Sequence, residues 1–383
     1  MKNVMYKELI KYFGMTYKNG IIVNSYSGLW QGTRTANDSG QNYIVKSLPY
    51  HLGDKFNLEI KEIFDMNFEL IQNLDKNINI KYIFQKRNSY VNNIKAENSY
   101  IHMIDLQDNC GKVSLNYYSK NKIVDKHDLI LKINKLKIIA DKISQSEFVD
   151  LKYSSIIFDK EASGLIMAMI IGYFFEGDRV ASNTSYFFNN IEKFSMNIPL
   201  SVYDELKPNL PVYFEYDQEG IQANRKVCLI KNGKINSYLT DKYFAKKLGT
   251  ENNGRSRSQD YRTIPFPRIT NVIVKKGNIS FSQLVSNTEC GIYCVGISGV
   301  AIDVASGVIH INCLIGYQVR NRKLIDDVIL KGPSFSFEIF DFLKKIKYIC
   351  DKYEIGYRIM GKGRPIQNTL VGFSSPEICL AVE

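Results

Sequence analysis

The sequence predicts an α+β chain in two domains. Residues 1–148 would form an N-terminal α/β domain, shortened, and residues 149–383 an antiparallel β-rich domain built around one central buried helix. Three observations carry this reading. The chain has 383 residues, more than one small core organises. Its texture changes near residue 150, from polar helices mixed with short strands to short apolar strands separated by Asn-Gly, Asp-x-Glu-Gly and Ser-Gly turns. The third is the stretch GLIMAMIIGYFFEGD, Gly164 to Asp178, in which twelve residues carry no charge before Glu176 and Asp178 arrive together.

In chain order, KEIFDMNFELIQNL has apolar residues at Ile63, Phe64, Met66, Phe68, Leu70 and Ile71, as an amphipathic helix requires. SYIHMIDLQDN and GKVSLNYYSK read as strands, with Asp108, Asn109 and Gly111 turning between them. KHDLILKINKLKIIADKI repeats Leu129, Ile130, Ile133, Leu136, Ile139 and Ile143 near the helical period. The apolar run from Gly164 is too short to cross a bilayer, which takes about 20 apolar residues, and Asp159, Lys160, Glu161 and Glu176 bracket it. It reads as a helix inside a protein. KVCLIKNGKINSYLTD is a hairpin with Asn232-Gly233 at its turn, and SGVIHINCLIGYQVRNRKLIDDV a second with its corner at Asn321. SFEIFDFLKKIKYICDKY, Ser336 to Tyr353, reads as a last helix.

The net charge of +11 raises nucleic acid or an anionic membrane as partners. The basic residues are scattered, and the densest stretch, Lys120 to Lys142, is cut by Asp125, Asp128 and Asp141, as in a solvated helix face. With a single tryptophan and no groove-reading or stacking motif, a nucleic-acid-binding role is the weakest of the functional classes. The N-terminal MKNVMYKELIKYFGM lacks the apolar core of a secretory signal, so a cytoplasmic protein with no membrane partner is expected. Seven cysteines without a compact framework read as reduced thiols. Cys290, Cys294, His310 and Cys313 form the one cluster with a metal-like look, but in an extended GVIHINC His310 and Cys313 face opposite ways.

A succession of marks fills the second half: DQEG at Asp217–Gly220, NNGR at Asn252–Arg255, PRITN at Pro267–Asn271, GIYCVGISG at Gly291–Gly299, MGKG at Met360–Gly363, then LVGFSSPEICLAV. Together with Gly164, Gly172 and Glu176-Gly177-Asp178 they resemble the TldD/PmbA family, the TldD/TldE peptidases also described as modulators of DNA gyrase. The resemblance runs from about residue 154 to the end and is faint before 145. It implies a zinc peptidase system in which a TldD-type subunit holds the metal, a TldE (PmbA) subunit does not, and the pair encloses and cuts peptides, in maturing ribosomally made peptides or in degradation. The family's zinc helix reads H-E-x-x-x-H, with a further cysteine in C-G-K-x-G-Q. The corresponding positions here are Ala168, Met169, Tyr173 and Met360, so every ligand and the general base are replaced. None of the histidines, His51, His102, His127 and His310, is near them in sequence.

What the resemblance implies is a non-zinc subunit, without metal or cofactor of its own. It would pair with a metal-bearing TldD-like partner, or with itself, and hold a peptide through Asn252, Asn253, Gly254, Arg255, Arg268, Thr270 and Asn271. Gly296 and Gly299 would let the peptide backbone come close. The second reading is altered, metal-independent chemistry by Tyr173 and Glu176, three apart on one helix face.

Overall fold

The computed structural model describes residues 4–18, 21–36, 43–47, 54–75, 77–148, 151–182, 186, 190, 191, 194 and 196–382. The expected domain junction at 148/149 and His51 touch positions outside these. The first six strands are β1 (Val4–Lys18), β2 (Ile21–Ala36), β3 (Tyr43–Ser47), β4 (Ile78–Val91), β5 (Ile94–Asp108) and β6 (Ser114–Ser119). They form an antiparallel sheet in the order β3-β2-β1-β4-β5-β6. Two helices, α1 (Asp54–Gln72) and α2 (Lys126–Gln145), close a core with it. Ile63, Phe64, Phe68 and Ile71 of α1 point inward as their spacing requires, while Met66 falls on the outer face. Asp125 caps α2 by accepting from the Asp128 N–H.

These strands correct the expectation of short ones: β1, β2, β4 and β5 run 14 to 16 residues. Their alternation is hidden because charged side chains occupy inward positions. Glu8 and Arg34 are buried, Arg87 salt-bridges Glu8 at 2.5 Å, and the Tyr261 N–H donates to Glu8 at 2.8 Å.

The rest of the chain follows with β7 (Ser155–Phe158), α3 (Lys160–Phe174), α4 (Gly177–Val180), β8 (Val202–Glu205), β9 (Lys226–Lys231), β10 (Lys234–Ile235), α5 (Lys242–Leu248), β11 (Ser256–Arg257), β12 (Phe266–Pro267) and β13 (Asn271–Val274). Then come α6 (Phe281–Ser286), β14 (Cys290–Asp303), β15 (Val308–Arg320), β16 (Lys323–Lys331), β17 (Ser334–Glu338), α7 (Ile339–Lys345), β18 (Ile346–Ile349), β19 (Glu354–Lys362), β20 (Gln367–Ser375) and β21 (Ile378–Ala381). One sheet is ordered β10-β9-β8-β13-β20-β19, another β16-β15-β14-β7-β21-β18 with β17 beside β15. Pairing is mostly antiparallel, with β13/β20 and β14/β7 parallel. Helix α3 packs against strands of both sheets, so its apolar surface is the centre of the larger core.

Both expected hairpins form, and Asn232-Gly233 and Asn321-Arg322 adopt the paired positive φ values that such tight turns need. The expected last helix over 336–353 does not. Only Ile339–Lys345 is helical, because Glu338 caps the N–H groups of Phe340 and Asp341 while the flanking segments are claimed by β15 and β21. Ile346 and Ile349 are buried as strand residues. Among the described residues no helix is long and apolar enough to cross a membrane.

An ion-pair strap joins α2 to the start of α3. Lys132 and Lys135 bond one oxygen of Glu161 at 3.2 and 3.0 Å. Burial alone would push the Glu161 carboxyl up, but the two lysines outweigh it and hold it at about 2. A carboxyl held below its unfolded value stabilises the fold at neutral pH, and that stabilisation is lost as pH falls from about 4.5 through about 2. Glu161→Gln is therefore expected to lose about 1–2 kcal/mol at pH 7. In urea melts its deficit against the parent protein should shrink as pH drops from 5 to 3; a deficit independent of pH would contradict the strap's role.

Candidate functional site

The site begins with the capping of α3. Asp159 accepts from the Ala162 N–H at 2.7 Å and from the Gly296 N–H at 3.1 Å, tying the helix start to β14. Gly164 lets Phe373 lie against the helix, since a Cβ there would sit 2.5 Å from the ring. Leu165, Met169, Gly172, Tyr173 and Glu176 share one face and, with Arg268, Ile269, Gly299 and Arg358–Lys362, line a cavity of about 280 Å³.

The structure thus brings Met169, Tyr173, Glu176, Met360, Arg268 and Gly299 together. Ala168, one step round the helix, is fully buried in the core. A methyl group, two thioethers and a phenol stand where zinc ligands and a base were expected. Alanine offers no donor and a thioether is a poor ligand for Zn²⁺, so this set does not fit the metal. Among the described residues no group of three or more His, Cys, Asp or Glu is placed to hold a metal ion. Cys294 and Cys313 are buried on neighbouring strands, Cys290 donates to the Lys152 carbonyl, and exposed His310 bonds Ser336 at 2.8 Å.

A charged cluster forms the cavity's polar wall. The Lys362 ammonium donates to Glu176 Oε2 at 2.5 Å, to Asp178 Oδ1 at 2.6 Å and to the Pro267 carbonyl at 2.8 Å. Glu176 Oε1 accepts from the Ile269 N–H at 2.9 Å. Tyr173 and Glu176 do share the cavity, but both carboxylate oxygens of Glu176 are committed, which leaves it poorly placed as a base for Tyr173.

The loop residues expected to hold a peptide mostly hold the protein instead, a correction with a clear physical cause. Arg255 is fully buried, its Nε donating to Asp204 Oδ1 at 2.7 Å and its other nitrogens to carbonyls of Asn253, Gly254, Asp204 and Asn224. Thr270 gives its N–H and hydroxyl to Asp204, and Asn271 bridges Glu205 and Val212. Asn253 bonds Thr240 and Tyr238, and Asn252 turns the chain at Gly254, whose φ is +68°. Gly296 is buried against Leu314. Only Arg268 and Gly299 of that set reach the cavity.

A larger cavity of about 710 Å³ lies between the first sheet and the β19–β20 side of the second half. It meets the smaller one at Arg358 and Ile359, which line both. Tyr357 Oη and Thr369 Oγ1, on residues lining it, are buried without a hydrogen-bond partner among the described residues. Arg257 donates to the carbonyls of Ile269 and Leu370; burial, then the neighbouring Arg268, pushes its guanidinium down to about 9.

Residues 152–381 match the family model for the PmbA/TldA metallopeptidase C-terminal domain. The chain belongs to that family. Among PmbA/TldD relatives, it is 28% identical over 220 residues to a metalloprotease TldD homolog of Buchnera aphidicola, covering 57% of this chain and 44% of that one. It is 30% identical over 172 residues to a zinc metalloprotease TldD homolog of Saccharolobus solfataricus, covering 44% of this chain and 38% of that one. The match spans less than half the length of these relatives. In fold, the chain superposes on TldE from Thermococcus kodakarensis with a TM-score of 0.67 at 14% identity, covering 100% of this chain and 96% of that one. As a PmbA/TldD member it is degenerate, lacking the zinc ligands.

Sequence reasoning missed Asp204, Arg257 and Arg358, and saw Lys362 only as part of MGKG. The charge complement between EGD and that lysine was the one available signal.

Proposed function

We propose that this chain is a metal-free, non-catalytic subunit of a TldD/TldE-type peptide-processing assembly. It binds peptide in its two joined cavities and pairs with a metal-bearing TldD-like partner, which supplies the zinc, with self-association as the other assembly. The work of such a pair is maturation of a ribosomally made peptide, or peptide degradation. The observation that carries this reading is a retained cavity with Met169, Tyr173 and Met360 at its ligand positions and an intact Glu176–Lys362–Asp178 cluster beside them. Loss of ligands with retention of the surrounding scaffold fits a committed non-zinc subunit better than a damaged enzyme. The metalloprotease names of its relatives support the peptide-processing context. A peptide lying along β19, an edge strand of its sheet among the described residues, would add a strand there.

The test is metal content and activity. Purified alone without chelator, the chain should carry less than about a tenth of an equivalent of zinc, since a closed site retains its metal. It should cleave no peptide until a TldD-type protein from the same cell is added. Zinc-dependent cleavage by the chain alone would overturn the proposal.

A further inference from the structure

Three arginines line the two joined cavities. Arg257 lines the larger cavity, Arg268 the smaller, and Arg358 both. Among the described residues none of them is in an ion pair with a carboxylate. Arg257 and Arg268 are buried, and their terminal nitrogens donate to neutral carbonyls of Ile269, Leu370, Gln367 and Met360. Arg268 Nε has no hydrogen-bond partner among the described residues.

The nearby acids are committed. Glu176 and Asp178 share Lys362, a cluster with one negative charge in excess that also acts on Arg268 from a distance, and Asp204, which acts on Arg257, is bound to Arg255. Asp105, in the larger cavity, faces Lys81 as well as Arg358. Buried guanidiniums left with neutral acceptors are costly, and a bound anion would relieve that cost. Beside them the smaller cavity has an apolar wall of Leu165, Met169, Ile269, Ile297 and Met360.

We propose that this junction recognises a peptide carboxylate, with the apolar side chain beside it filling the smaller cavity and the rest of the chain lying in the larger one. This rests on the peptide-binding reading above and specifies its ligand. The carboxylate is that of the peptide's C-terminus or of an acidic side chain next to the apolar residue. Arginine is the side chain suited to it, because its planar fork matches a carboxylate's two oxygens.

The experiment uses the full chain and fluorescently labelled peptides ending in leucine, in three forms: the free acid, the C-terminal amide, and the amide with aspartate before the leucine. The free acid should bind about tenfold or more tightly than the plain amide. Recovery of affinity in the aspartate-containing amide assigns the recognised group to the side chain; no recovery assigns it to the terminus. Arg358→Gln should bring acid and amide close to equal, chiefly by weakening the acid. Gly299→Leu should weaken both forms, because a Cβ there meets nothing closer than 3.8 Å and the added side chain extends into open space. Equal binding of all three peptides to the parent protein would overturn the carboxylate inference and leave peptide binding standing. Failure of every peptide to bind would remove both.

Discussion

Lys362→Met is expected to destabilise the protein by about 3–5 kcal/mol, the loss seen when one partner of a buried ion cluster is removed. The lysine's ammonium is the cation shared by Glu176 and Asp178, and Glu176 is 3% exposed. Methionine fills much the same space, so the loss would come from two carboxylates deprived of the ammonium they share. Urea unfolding at pH 7 measures it. The triple variant Lys362→Met, Glu176→Gln, Asp178→Asn should recover much of the deficit, because removing a whole cluster is far less damaging than leaving its charges unpaired. A single-variant loss below about 1 kcal/mol, the range of exposed pairs, would show the cluster to be loosely held.

Asp204→Ala should cost a similar amount, about 3–5 kcal/mol, for a different reason. Its carboxylate is the common acceptor for Arg255 Nε, the Thr270 N–H and the Thr270 hydroxyl, and both Arg255 and Asp204 are wholly buried. Alanine leaves a charged and two neutral donors unsatisfied in the interior. The β8–β13 pairing, in which Asp204 sits opposite Val272, should loosen with it, which amide hydrogen exchange along Asn271–Val274 would report. Unchanged protection there together with parent-like stability would mean that water replaces the carboxylate without penalty.

Local chemistry was legible in the sequence where it acts locally. Asn232-Gly233 and Asn321 announced their turns, and the uncharged run from Gly164 announced a buried helix, because turn geometry and burial leave marks within a few residues. The first sheet was read poorly because Glu8, Arg34 and Lys86 occupy buried positions that an alternating pattern reserves for apolar side chains. Their partners lie far along the chain, as with Arg34 and Ser258. The segment Ser336–Tyr353 has apolar residues that suit either period, and only the neighbouring β15 and β21 decide between them. At the candidate site Met169, Tyr173 and Met360, grouped in the sequence by the motif succession, line one cavity. That Arg255 and Thr270 face inward could not be read from the sequence, because Asp204, in the plain segment SVYDELKP, looks like any surface acid until the strands are paired.

The anchoring of Arg34 has a mechanical consequence. Its guanidinium, buried between Tyr6 and Tyr43, donates to Ser258, Asp260, Thr263 and Gln218, which bolts β2 to the far wall of the larger cavity. Opening the two halves like a jaw would break all of these contacts at once. The two walls of the larger cavity are therefore clamped to one another by a single buried guanidinium.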